Sequence, residues 1–372
     1  MKDNRKIKKI AVGLSGGVDS AVTAALLKEQ GYEVIGVHML KVKESISGCT
    51  SEEDRNDALR VAKKLEIPFR VVDFTKEYRE QVIKRFLDEY QNGRTPNPDI
   101  WCNEVMKFGL FLEYALNELK VDAIATGHYA RIECDETNQE YMLLTGVDET
   151  KDQSYFLYRL NQFQLSKSLF PLGEMTKVEV RKLAQKYDLP TKDKKESMGV
   201  CFIGDINMQD YLKTHLDIKP GEVRDISGKV IGTHEGVQLY TIGQRHGFTL
   251  NAYQGTPMYV IKKEIENNQL IVGNEDVFAT DQFIITGLHY VRSTAKDQPL
   301  LTNIKIRIRH LGELIPCQIE PIKSHLPAID GLKCTIQKPD NGVAEGQHAV
   351  LYLGDEVIGG GTIMLSTIDG IR

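Results

Sequence analysis

Along the first third of the chain, short apolar runs rich in β-branched residues alternate with longer stretches whose apolar positions recur every three or four residues. The short runs are Ile10–Leu14, Val34–His38, Phe69–Asp73 and Ala123–Thr126, and the periodic stretches are Ala21–Gln30, Glu52–Leu65, Lys76–Tyr90 and Val105–Leu119. Unbroken apolar runs suit strands buried on both faces, and the helical period suits helices laid across them. The pattern therefore predicts an α/β domain built on a doubly wound parallel sheet. Gly31 stands where the first helix must stop, as a C-cap glycine does. Short strands are expected around Arg131 and Tyr141, followed by a second helical region over Leu165–Tyr187.

Beyond about Ile206 the texture changes to short β-type runs broken by glycine: Lys229–Ile231, Gln238–Thr241, Met258–Lys262 and Gln269–Val272. After Thr280 alternation resumes over Asn303–Arg309, Leu332–Ile336, Ala349–Leu353 and Val357–Ile363, which predicts a small barrel or sandwich. The expected organisation is a nucleotide-type α/β domain over 1–205, a central β-rich domain over 206–279 and a C-terminal β-barrel over 280–372.

A chain of 372 residues can hold two or three such cores. Its composition, 41% hydrophobic and 27% charged, excludes a disordered or fibrous protein. No apolar run is long enough to cross a membrane, and Met1–Lys9 runs into the first strand without a signal-type core, so a cytoplasmic monomer is expected. Six cysteines at irregular spacing argue for thiols in free or catalytic form over a disulfide scaffold. A net charge of −5 means that any nucleic-acid site must rest on local basic groups.

Three segments carry chemistry. Leu14-Ser15-Gly16-Gly17-Val18-Asp19-Ser20 falls at the turn from the first strand into the first helix. Glycines there let backbone N–H groups approach an anion, hydroxyls add donors, and the helix N-terminus adds a positive end. The lysine of the common phosphate loop GxxxxGK[ST] is absent. The second segment, Gly93 to Asn103, is stiffened by Pro96 and Pro98 and places Asp99 and Cys102 three residues apart ahead of a helix expected from about Asn103. These residues suit a thiolate stabilised by the helix dipole beside a proton carrier, and equally a buried cysteine beside a capping aspartate. In the third, Cys201 lies between Gly199 and Gly204 and after Lys194 and Lys195, where a thiol could reach solvent or pack among Val200, Phe202 and Ile203.

Taken in order, SGGVDS at 15–20, GRTPNPDIWCN at 93–103, ATGHYAR at 125–131, KDQSYFL at 151–157, SMGVCFIG at 197–204 and YTIGQRHG at 240–247 resemble the tRNA-specific 2-thiouridylase family across nearly the whole chain. The resemblance implies an ATP pyrophosphatase (PP-loop) first domain and an enzyme that replaces the C2 oxygen of uridine 34 in tRNA with sulfur. Gly13, Leu14, Ser15, Gly16, Gly17, Val18, Asp19, Ser20, Met39 and Gly127 match ATP-binding positions, with Asp19 also suited to Mg²⁺. Cys201 matches the persulfide carrier, Cys102 its partner thiol and Asp99 the proton-transfer residue. Asn97, Pro98 and Asp99 match the target-base loop. His128, Lys151, Asp152, Gln153, Arg307, Arg309 and Gln347 match tRNA contacts, and period-two alternation would put Arg307 and Arg309 on one face. The implied partners are tRNAs for lysine, glutamate and glutamine, and a cysteine desulfurase or sulfur-relay protein. Cys49, Cys134, Cys317 and Cys334 are left as structural thiols, since no pair has metal-ligand spacing.

The chain departs from the family pattern at Met39-Leu40-Lys41-Val42-Lys43-Glu44-Ser45, which lacks an Asn-Trp pair, and at Trp101 and Glu104, which flank Cys102 and could alter its reactivity. Two rival readings remain at this stage. An amide-forming ligase or lysidine synthetase would need no cysteine pair, and a tRNA-binding module without catalysis would need no intact phosphate loop.

Overall fold

The structure, a computed structural model, describes residues 6–42, 50–195, 207–252, 255–274, 279–293, 303–322 and 331–364. Five parallel strands form the first sheet in the order Phe69–Val72, Glu33–Met39, Lys9–Gly13, Ala123–Ala125, Ser168–Leu169. On the central strand Ile10 and Val12 enter one apolar cluster and Ala11 the other, and all three are fully buried. Helices cover both faces, as the unbroken apolar runs require.

Strand order also fixes where a ligand can sit. The chain leaves the central strand Lys9–Gly13 for Glu33–Met39 on one side, while Ala123–Ala125 flanks it on the other. Connections departing to opposite sides open a crevice at the carboxyl end of the central strand, which is where open α/β sheets bind ligands. Ser15–Gly17 lies in that crevice.

The helical region expected over Leu165–Tyr187 is three elements: a helix Gln162–Ser166, the fifth strand Ser168–Leu169 and a helix Lys177–Lys186. Each helix starts at a capping box, Asn161 with Gln164 and Thr176 with Glu179. Between them Gly173 packs so tightly that a Cβ would lie 1.9 Å from the Ala130 carbonyl oxygen. Gln238–Thr241, expected as a strand, is a single 3₁₀ turn, Val237–Leu239, entered through Gly236 at φ +151°.

The central domain is a five-stranded sheet ordered Thr249–Leu250, Val230–His234, Gly221–Arg224, Gln269–Gly273, Tyr259–Glu264. The last domain is a barrel of six antiparallel strands in the order Thr280–Tyr290, Gly331–Asp340, Ile315–Pro321, Ile304–Arg307, His348–Leu353, Glu356–Met364, closed by pairing of the first with the last. A hairpin from the first domain, Ala130–Asp135 and Glu140–Thr145, extends this barrel, with Leu144 opposite Glu356 and Leu143 opposite Val357. The barrel is thereby continuous with the first domain.

Polar contacts bolt the same junction. Tyr155 donates to the His348 carbonyl at 2.8 Å, Tyr158 meets His348 Nδ1 at 2.7 Å, and Arg307 donates to Asp152 at 2.6 Å. Asp152 also accepts from the Gly146 and Ser154 N–H groups and is 1% exposed. Removing its carboxylate strands a buried guanidinium, so Asp152→Ala is expected to lower unfolding free energy by about 3–5 kcal/mol, with Asp152→Ala/Arg307→Met losing less. Urea titration decides this: a loss under about 1 kcal/mol would mean that the pair behaves as a solvated one.

Candidate active site

The crevice loop owes its shape to two glycines. Gly16 has φ +84°, and a Cβ there would sit 2.3 Å from the Asp54 carbonyl oxygen. A Cβ on Gly127, which follows the neighbouring strand, would lie 2.9 Å from Asp19 backbone and from the Ser20 nitrogen. Within the loop Ser20 Oγ accepts from the Ser15 N–H at 3.2 Å and lies 3.1 Å from Ser15 Oγ. No side chain caps the helix Val18–Glu29 at Gly17, which leaves its first N–H groups directed at the crevice. Met39 stands beside it, 3.8 Å from where a Gly13 Cβ would be.

A cavity of about 350 Å³ opens on this loop, lined by Ser15, Gly17, Val18 and Asp19 and walled by four cations: Lys151, Lys177, Arg181 and Lys195. Among the described residues Asp19 is the one carboxylate in that wall. Lys177 Nζ bonds both of its oxygens, at 2.7 and 2.8 Å, and the Tyr129 hydroxyl donates to Oδ1 at 3.0 Å. Lys177, Arg181 and Tyr129 escaped the sequence reading. Tyr129 lies inside a motif that does stand out, whereas Lys177 and Arg181 have only a capping box ahead of them as a signal.

The cysteine loop is built differently from the expectation. Its helix begins at Pro98, not Asn103, and runs to Asn117 with a π-helical middle, Cys102–Leu110. Cys102 therefore stands in the second turn, past the unpaired N–H groups, and is fully buried. Asn97 occupies the N-cap without capping; its Oδ1 is buried with no hydrogen-bond partner among the described residues. Glu104, a departure from the family pattern, is bonded at 2.7 Å by Arg159, which neutralises it beside Cys102, and Trp101 stacks under Arg85 at 4.1 Å. Cys201, Cys49 and the Lys43–Ser45 end of the departing loop lie outside the described residues.

Both other domains hold this loop. Thr95 donates its N–H to the Glu345 carbonyl at 2.9 Å, and Gln347 donates to the carbonyls of Thr95 and Pro96 at 2.8 and 3.3 Å. From the central domain, Thr241 Oγ1 reaches Thr95 Oγ1 at 3.2 Å. Nearby, burial pushes the Lys263 ammonium down to about 8 while its Nζ donates to the Tyr240 carbonyl.

The residues expected to face tRNA divide into two groups. Lys151 and Gln153 line the cavity. His128 does not lie on the surface: it packs against Phe108 and Phe170, between Thr126 and Lys107, and burial holds its pKa well below the usual imidazole range. Arg307 and Arg309 do not share a face either. The strand ends at Arg307, which is buried against Asp152 and Tyr352, whereas Arg309 lies in the following turn, half exposed and paired with Asp340. Burial raises the Cys317 thiol to about 12 and the Cys334 thiol further, as inert thiols require.

Among the described residues no cluster of three or more His, Cys, Asp or Glu could hold a metal alone, and no helix is long and apolar enough to cross a membrane. Three family profiles match in sequence: a tRNA methyl transferase HUP domain over 8–205, a tRNA methyl transferase PRC-barrel domain over 209–274 and an aminomethyltransferase beta-barrel domain over 280–363. A tRNA-specific 2-thiouridylase MnmA of Blochmanniella floridana is 42% identical over 366 residues, covering 96% of this chain and 97% of that one. Proteins of the same name are 42% identical in Listeria monocytogenes serotype 4a (98% and 96% covered) and 41% identical in Bacillus cytotoxicus (95% and 94% covered). Identity at this level, sustained from end to end of both chains, makes this chain a member of the tRNA-specific 2-thiouridylase family.

Proposed function

We propose that the chain activates O2 of uridine 34 in tRNAs for lysine, glutamate and glutamine with ATP and then replaces it with sulfur. The observation that carries this reading is the cation-walled cavity on the Ser15–Ser20 loop, set at the crevice of a chain that also carries Cys102 and Cys201. ATP adenylates the oxygen and pyrophosphate leaves; the outer sulfur of a Cys201 persulfide attacks C2 and AMP leaves. Cys102 attacks the inner sulfur, the proton passing to Asp99, and the resulting Cys102–Cys201 disulfide is reset by a dithiol reductant. A methyl transfer would have no use for a pyrophosphate loop.

Mg²⁺ fits the site only together with phosphate oxygens, since Asp19 is a single carboxylate and hard cations accept one protein carboxylate plus substrate phosphates. Asn97 Oδ1, buried and unpartnered among the described residues, is an acceptor suited to a base N–H such as N3–H of uridine. Lys151, Gln153 and Arg309 are the proposed tRNA contacts at the surface. His128, Asp152, Arg307 and Gln347 act behind it, holding the loops that make contact.

The test is direct. Purified protein with unmodified tRNA, ATP, Mg²⁺, cysteine and a cysteine desulfurase is expected to yield 2-thiouridine at position 34 by nucleoside mass spectrometry. Pyrophosphate release with no thiolated nucleoside, with or without an added relay protein, would reject sulfur transfer.

A further inference from the structure

The loop at 15–20 lacks the lysine with which common phosphate loops grip the outer phosphates. We propose that Lys177, with Arg181 one turn further on, supplies that grip from a different helix, and that Asp19 holds the Lys177 ammonium in place until polyphosphate enters. This rests on the ATP reading above and adds residues and an order of events to it.

Three observations converge. Lys177 and Arg181 are four residues apart on the helix Lys177–Lys186, so they share a face, and both line the cavity opposite the glycine loop. The lysine is placed by more than its own charge: the Thr176–Glu179 capping box fixes the first turn, and Asp148 accepts the Lys177 N–H at 2.9 Å. Its side chain is 13% exposed and its ammonium bonds both Asp19 oxygens, which ties up the carboxylate suited to a metal.

Among the described residues, four cations against one carboxylate line the cavity with an excess of positive charge, a match for a polyphosphate and a mismatch for a neutral ligand. When the phosphates arrive, the ammonium exchanges a carboxylate for phosphate oxygens, and Asp19 turns to the metal they carry. Charge is conserved at each side chain, and no bond is made or broken. Arg181, which donates to the carbonyls of Lys192 and Lys194 at 3.1 and 2.7 Å, is held at the edge of the same wall.

The test compares AMP with ATP by calorimetric titration of the full chain, with Mg²⁺ present. In Lys177→Met, ATP affinity is expected to fall by about 10- to 100-fold, the range of a charge-assisted hydrogen bond, while AMP affinity stays within about twofold. Lys177→Arg should keep most of the difference between the two nucleotides, and Lys177→Gln gives a second neutral variant if methionine impairs folding. Manganese binding without nucleotide, read by electron paramagnetic resonance, should tighten in Lys177→Met because Asp19 is released. Equal losses for AMP and ATP, or no loss for ATP, would overturn the assignment and leave Lys177 a structural partner of Asp19. If the unaltered chain binds ATP no better than AMP, the ATP reading itself fails, a result separable from any variant.

Discussion

A chain carrying Cys102→Ser is expected to release pyrophosphate at the unaltered rate and to transfer no sulfur. Serine is close in volume to cysteine, and Cys102 sits inside a continuous helix that both other domains help to position through Thr95 and Pro96, so the fold and the distant glycine loop should survive. What serine cannot do is attack a persulfide as a thiolate. Thiolation should therefore fall by at least about a thousandfold, the scale on which loss of a nucleophile is felt. In the same variant the peptide containing Cys201 should still gain the mass of one sulfur after treatment with a desulfurase and cysteine; in Cys201→Ser it should not. One turnover of the unaltered chain without reductant should leave a single cross-linked peptide joining both cysteines. Sulfur found on Cys102 alone, or thiolation by the double-serine variant, would end the two-thiol mechanism for this chain.

The sequence made the inner strands of the first sheet legible because Lys9–Gly13, Glu33–Met39 and Ala123–Ala125 are largely buried and so read as unbroken apolar runs, and because Gly16 of the crevice loop is held against a backbone neighbour; it offered no such run for the edge strand Ser168–Leu169, which is two residues long. It concealed what depends on long-range closure. The alternation after Thr280 predicts the C-terminal barrel that is found, but nothing local in Thr280–Tyr290 or Glu356–Met364 states that these two strands close it, or that a hairpin ending at Thr145 extends it. Arg307 shows the same limit. Its alternation with Ile306 and Ile308 reads as an outward arginine, which it is with respect to the barrel, yet the outside of the barrel at that strand is covered by the first domain and Asp152. For Arg307 exposure was the hidden variable; for Arg309 it was the end of the strand.

The cysteine loop is held by residues of all three domains. Gly346, at φ +89°, would place a Cβ 2.9 Å from the Thr95 nitrogen, so the barrel turn Glu345–Gln347 packs backbone to backbone on the segment that leads to Asn97 and Asp99. A loop with two prolines has few internal hydrogen bonds to hold it. Its N–H and carbonyl groups are instead satisfied by the barrel, and its threonine by the central domain. The C-terminal domains thus set the geometry of the segment proposed to receive the base.

Asp19→Ala should lower tRNA-dependent pyrophosphate release by at least about a hundredfold, the loss typical when a group that orients or neutralises a transferring phosphate is removed. The carboxylate is the meeting point of the Lys177 ammonium and the Tyr129 hydroxyl, and Gly127 packs closely against the Asp19 backbone and Cβ. Alanine therefore removes the carboxylate proposed to meet a metal and also unseats the lysine opposite. Asp19→Asn separates the two effects. It retains one acceptor oxygen that Tyr129 and Lys177 can share, losing one of the two Lys177 bonds, and so should disturb the lysine less than alanine does, but a neutral amide is a poor ligand for a hard divalent cation. Release should stay low in Asp19→Asn even at high Mg²⁺, while Cys201 persulfide formation, which needs no ATP, should be normal in both variants. Near-normal pyrophosphate release by Asp19→Ala would remove this residue, and the metal it is proposed to bind, from the adenylation step.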